Sequence, residues 1–293
     1  ILNSSSIAEN DYSAWSSLTS YVVDDLVIVT TPNVHKIYIC RDANSNKYPP
    51  DNIYNSEGPT GYWSLVSATN RWKMFDNKVE SKSTDSSPMV VELEPGVLTN
   101  GITLFGIVAD AVNVTVERSS VEIYNKDVDL KDLSGIFGYY DWFFSPISNK
   151  PTIVLTDLPA YTDSVITVTL TRASGNIELG QLSLSRKYDI GDMQQGSRLS
   201  KRTFSVKEID TTDGYATIDV DKTAKTIDYI ILLKSNKVTY IDRLLEENFN
   251  VPVVFIGDEN VEWTQIFSFI KDYVVTLNDG NYVKYSLQAE ELV

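Results

Sequence analysis

Covalent chemistry has few places to begin in this chain, which holds one histidine, His35, and one cysteine, Cys40. A Ser-His-Asp or Cys-His arrangement has to use that imidazole. The two residues sit at an odd separation on a segment that alternates like a strand, which puts them on opposite faces and excludes a dyad. A zinc site needs three or four His, Cys or carboxylate ligands, and the chain offers one of each of the first two. His35 therefore reads as a residue beside the Pro32-Asn33 turn, and Cys40 as a small buried hydrophobe. Glycoside hydrolysis needs two carboxylates at a set spacing. Asp24-Asp25, Asp210–Asp213 and Asp219–Asp221 are candidates among 40 acidic residues. None lies in an aromatic-lined stretch that would hold a sugar chain, and a solvated face or turn accounts for each. The same acidic loops offer oxygen ligands to Ca²⁺, but none carries the spaced Asp/Asn-Gly-Glu pattern of a dedicated site. Calcium is left unassigned, and no cofactor and no enzymatic activity is expected. Neither G-x-x-x-x-G-K-S/T nor G-x-G-x-x-G occurs, and Gly135-Ile136-Phe137-Gly138 has the wrong spacing for a phosphate loop.

Aromatic residues offer a different chemistry, non-covalent stacking. A sugar ring presents C–H groups to an aromatic face, and Trp15, Tyr21, Tyr38 and Trp63 are the candidates for carbohydrate contact. Trp15 and Tyr21 read equally as the core that a module of about 55 residues without disulfides needs. Trp63 is the one expected as an exposed platform, because it follows a Pro/Gly-rich loop over residues 42–62. A second run, Tyr139-Tyr140-Asp141-Trp142-Phe143-Phe144, fills a sandwich core if buried. If exposed, Tyr139, Tyr140, Trp142, Phe143 and Phe144 form a subunit or domain interface that demands a partner. Both readings, and a sugar platform as a third, stay open at the level of sequence.

The elements that must position these residues are mostly strands. With 293 residues, 42% hydrophobic and 22% charged, the chain is long enough for two or three domains with cores of their own. Abundant Tyr favours strands, and the Ser-, Thr- and Asn-rich segments favour turns. A net charge of −15 argues against a nucleic-acid-binding surface. The densest basic cluster, Arg198-Leu199-Ser200-Lys201-Arg202, reads as a solvated turn or an intersubunit salt-bridge patch. One cysteine allows no intrachain disulfide, which is compatible with assembly in a reducing cytoplasm. No apolar run reaches the ~18–20 residues of a membrane span, and no signal peptide is visible. Neither nucleic acid nor membrane is expected as a partner.

Residues 1–11 read as a polar N-terminal arm and residues 12–66 as the aromatic module, with strands near Val22–Thr31 and Val34–Cys40. Residues 67–186 carry period-two segments at Met89–Leu93, Gly101–Ile107, Val112–Glu117, Val121–Tyr124, Ser164–Thr171 and Ile177–Leu184, which predict a β-sandwich. Residues 187–293 read as an α+β unit. A hairpin turns at Asp210–Gly214, and Ile227–Leu233 is a buried strand. Ile241, Leu244, Leu245 and Phe249 mark one face of a short helix over Thr239–Asn248. Val251–Ile256 is a further strand, and Trp263–Leu277 and Tyr282–Glu291 pair around Asn278-Asp279-Gly280-Asn281.

Three resemblances follow from these residues. Ala14-Trp15, Thr19, Tyr21, Asp25 and Val27, followed by Tyr38 and Trp63, resemble the short chitin- and cellulose-binding modules, which carry Gly at the position of Asp24. Ser87–Leu93, Ile102–Gly106 and Val112–Val116, with closing strands at Ser164–Thr171 and Ile177–Leu184, resemble a galactose-binding-like (discoidin-type) jelly roll. The C-terminal order, with Asn250–Gly257 before a terminal hairpin, resembles phage minor tail and distal tail proteins. Together they imply a structural virion protein of a phage tail, a baseplate, tail-tip or fibre-attachment component. Its partners are other tail proteins and copies of itself, with host-surface glycan as a further ligand. The alternative is a soluble, non-catalytic, lectin-like protein.

Overall fold

The computed structural model describes residues 1–54, 61–146, 148–209, 216–219, 222–259, 261–276 and 280–292. The protein is mainly β and divides into two compact units. The first comprises residues 1–76, 81–153 and 157–184, and the second residues 77–80, 154–156 and 185–293.

The first unit contains a sandwich. Its larger sheet is antiparallel and runs in the order Leu2–Ser5, Met89–Leu93, Ser164–Thr171, Ala111–Arg118, Val121–Asp129. Alternation makes it one-sided: Met89, Val91, Leu93, Val112, Val114, Val116, Ile166, Val168 and Leu170 are buried, while the residues between them are polar or partly exposed. A second sheet, centred on Gly101–Phe105, supplies the other layer, and its central strand is buried along its whole length. The polar residues 2–5, read from sequence as an arm, form the first strand of this sandwich. Ser6 extends the pairing by donating its N–H to the Val90 carbonyl at 2.9 Å.

The aromatic module belongs to the same unit. It is an antiparallel sheet of Leu26–Val29, Lys36–Cys40 and Trp63–Ala68. Asp24 holds a φ of 71°, the left-handed region that favours glycine and that Asp and Asn tolerate best among other residues. The turn is fixed by the Asp24 N–H on the Cys40 carbonyl at 2.9 Å and by the Asp25 carboxylate, which accepts the Val22 N–H at 2.8 Å. The loop that reads as irregular is partly ordered. Asn44–Ser45 pairs with Ser20–Tyr21, Pro49–Asp51 forms a 3₁₀ turn, and Ile53 bridges to Trp63.

A two-stranded ribbon also belongs to this unit. Lys131–Asp132 pairs with Ser148–Asn149, and the intervening residues carry a six-residue helix, α1 (Tyr139–Phe144). The ribbon is tied down at its base. Asn149 Nδ2 donates to the Ala109 carbonyl at 2.7 Å and to Asp110 Oδ1 at 3.0 Å.

The second unit is a six-stranded antiparallel sheet with one helix on it. Asp192–Met193 and Arg198–Thr203 pair with the same side of Thr223–Lys234, which is followed by Tyr282–Glu291, Gln265–Thr276 and Val253–Ile256. Helix α2 (Val238–Glu247) buries Ile241 and Leu245 against Ile227, Tyr229, Leu233, Tyr285 and Leu287, the face its apolar spacing predicts. The basic cluster is corrected: Arg198–Thr203 is a sheet strand with all six residues exposed, not a turn. The loop Asp210–Gly214 and the turn residues Asn278 and Asp279 lie outside the described residues.

Candidate functional site

The structure brings Trp15, Tyr21, Tyr38 and Trp63 together, but as a core. Tyr21, Tyr38 and Trp63 are buried with Val27, Val29 and Cys40, and half-buried Trp15 packs against them. Trp63 is 0% exposed, which corrects its reading as an exposed sugar platform. Its indole Nε1–H donates to the Lys47 carbonyl at 2.9 Å, and its ring meets Tyr21 edge to face at 5.1 Å. The loop that looked too irregular to cover it bonds its backbone instead: the Tyr54 N–H donates to the Trp63 carbonyl at 2.6 Å, and the Trp63 N–H donates to the Asn52 carbonyl at 3.1 Å. Tyr21 accepts the Ser16 N–H at 2.7 Å, and Trp15 meets Tyr48 edge to face at 5.2 Å. Burial, with Tyr48 nearby, pushes the Tyr38 phenol above its ordinary value. Burial also raises the Cys40 thiol, whose S–H donates to the Asp42 carbonyl. Among the module's described residues the most exposed rings are Tyr12 and Tyr54, which the sequence pattern did not single out.

His35 is built into a junction. Its Nδ1 lies 2.9 Å from Glu9 Oε1, and its ring stacks on Trp72 at 4.3 Å. The same carboxylate oxygen accepts the Thr69 hydroxyl at 2.7 Å. Of the carboxylate pairs, Asp24-Asp25 serves the turn described above. Asp210, Asp213 and Asp221 lie outside the described residues, as does the side chain of Asp219. Among the described residues no group of three or more His, Cys, Asp or Glu side chains is placed to hold a metal ion.

The aromatic run forms α1 and is exposed. Tyr139 is 89% exposed, Phe143 74% and Trp142 55%, and Phe144, Tyr140 and Phe137 are similarly open. This outcome selects the exposed reading over the buried-core one. The helix is short and held by local bonds: Trp142 donates its N–H to the Gly138 carbonyl at 3.0 Å, and Asp141 Oδ2 accepts the Phe137 N–H at 3.1 Å. Tyr140 and Phe144 meet in a tilted contact at 4.8 Å, one turn apart. At the base, the Asp132 carboxylate accepts the Ser134 N–H, which holds its pKa below the usual carboxylate range. The Asp110 carboxylate also lies below that range, first through the Ala173 N–H at 2.7 Å and then through Asn149.

The second unit carries a shallow groove of about 370 Å³ on its sheet, lined by Arg198, Asp228, Ile230, Asp272, Val274 and Gln288. Gln288 Nε2 donates to Asp228 Oδ1 at 2.7 Å, so part of its polarity is already satisfied. Comparison with known proteins gives no match, neither to a family model nor to a curated protein.

Proposed function

We propose that this chain is a structural component of a phage tail, placed in the baseplate, the tail tip or a fibre attachment, and that it works by contact with other tail proteins. The observation that carries this reading is α1. A strongly acidic chain presents five aromatic side chains to solvent on one short helix at the end of a ribbon. Exposed aromatic clusters of this kind belong to interfaces, where Tyr, Trp and Phe supply most of the contact energy. The order of the second unit, with a strand before a helix, a further strand and a terminal hairpin, resembles that of phage distal tail proteins and supports the same reading. Glycan contact at the host surface belongs to this proposal through Tyr12 and Tyr54, since the four rings first considered form the module core. A lectin-like protein accounts for the module but gives α1 no task.

Mass spectrometry of purified phage particles tests the proposal. The chain is expected in the particles, and Phe143→Asp is expected to reduce its incorporation while leaving the free protein folded. Absence of the chain from particles overturns the reading.

A further inference from the structure

We propose that α1 packs against α1 of a second copy of this chain, tip to tip across a two-fold axis. This deepens the proposed function and rests on its reading of α1 as an assembly contact.

Area is the first argument. Phe137, Tyr139, Tyr140, Trp142, Phe143 and Phe144 are each more than half exposed. An aromatic side chain contributes roughly 150–250 Å², so the tip offers on the order of 1,000 Å² of aromatic surface. The largest apolar patch on an ordinary monomer is about 300–600 Å². A standard interface takes about 800 Å² from each partner. Successive residues of a helix point about 100° apart, so one partner covers part of this surface, which still exceeds what an ordinary monomer leaves open.

Charge is the second argument. Two copies of a chain with a net charge of −15 repel one another over most of their surface. They can meet closely only where the chain carries little charge. From Leu133 to Pro146 the sole ionisable acid is Asp141, with no Lys or Arg beside it, and its carboxylate already binds the Phe137 N–H. A basic partner would be drawn to the acidic faces and would gain little from a tip with a single carboxylate. An anionic membrane would be repelled by the rest of the molecule.

Self-complementarity is the third. In a two-fold contact the same patch appears on both sides. Aromatic rings suit this, because the positive edge of one ring meets the negative face of another without any difference in composition. Tyr140 and Phe144 tilt against each other yet stay largely exposed, so they join Tyr139, Trp142 and Phe143 as rings available for such pairing.

Analytical ultracentrifugation of the full chain over a concentration series tests the proposal, with Phe143→Asp and Tyr139→Ser measured in parallel. Wild type is expected to dimerise, and Phe143→Asp to weaken the dimer by roughly 30- to 100-fold with an unchanged circular dichroism melt. Tyr139→Ser, which adds no charge, is expected to weaken it less. A wild type that stays monomeric at its solubility limit overturns the proposal, as does a dimer that survives both substitutions. Co-sedimentation of a monomer with phosphatidylcholine vesicles, lost in Phe143→Asp, would also overturn it and assign the tip to lipid. Incorporation into particles separates the two readings. If wild type is monomeric but Phe143→Asp still blocks incorporation, the second copy falls and the assembly role stands. If Phe143→Asp dissociates a dimer that never enters particles, the reverse holds.

Discussion

Glu9 and His35, 26 residues apart, meet at 2.9 Å between a carboxylate oxygen and an imidazole nitrogen. The contact ties the segment after the first sandwich strand to the start of a module strand. Thr69 closes the same junction from a third segment, because its hydroxyl donates to Glu9 Oε1 and its N–H to the His35 carbonyl. One carboxylate thus holds three stretches of chain.

Removing that carboxylate has a defined cost. Thr69 is fully buried, so Glu9→Ala leaves its hydroxyl without this acceptor and destabilises the first unit by about 1–3 kcal/mol. Glu9→Gln keeps an acceptor oxygen and recovers part of the loss. Urea unfolding followed by tryptophan fluorescence reads both, and equal stability of wild type and Glu9→Ala would remove the junction from the account.

Trp63 is expected to behave as a core residue. Trp63→Ala should destabilise the module by about 3–5 kcal/mol. Trp63→Phe should cost less, since it keeps the edge-to-face contact with Tyr21 and loses the bond to the Lys47 carbonyl. Thermal melts distinguish this from a surface role, in which Trp63→Ala would leave the melting temperature unchanged.

Asp110 makes the ribbon base sensitive to acid. Its carboxyl is held below the usual range by the Ala173 N–H and Asn149, so the unfolded chain binds this proton more readily than the folded one. The resulting stability is present above the ordinary carboxylate pKa of about 3.9 and is lost as pH falls through the lower folded value. Asp110→Asn is therefore expected to melt below wild type at neutral pH, with the difference shrinking in acid. A gap independent of pH would contradict this assignment.

In the second unit, Tyr229 donates its hydroxyl to the Thr264 carbonyl at 2.6 Å from within the core. Burial raises its phenol above the ordinary value. Tyr229→Phe keeps the ring and loses that bond, and is expected to cost about 0.5–1.5 kcal/mol, measured by chemical denaturation. No change in midpoint would mean that the hydroxyl contributes nothing there.

The strands of the sandwich were legible because burial on one face writes itself into sequence as alternation, as in Ser164–Thr171. Helix α2 was legible for the same reason at a different period: the spacing of Ile241 and Leu245 was enough to place it within a residue or two. The first strand was not, because Leu2–Ser5 contributes mainly backbone pairing at a sheet edge and its polar side chains carry no period. Trp63 was misjudged since the loop before it is ordered by backbone bonds, which composition does not encode. The run at Tyr139–Phe144 gave the residues of the candidate interface but not their exposure. Aromatic density is the same signal in a core and on a docking tip, and only tertiary placement separates them.

The order of strands in the larger sheet sets a schedule for biosynthesis. Ser164–Thr171 lies between Met89–Leu93 and Ala111–Arg118 and joins the two halves of that sheet. Until residue 171 has left the ribosome, the apolar faces on either side have no common neighbour, and the nascent chain must wait with both uncovered. The aromatic tip emerges before that closing strand, so during translation its rings are added to apolar surface that the molecule has not yet sealed.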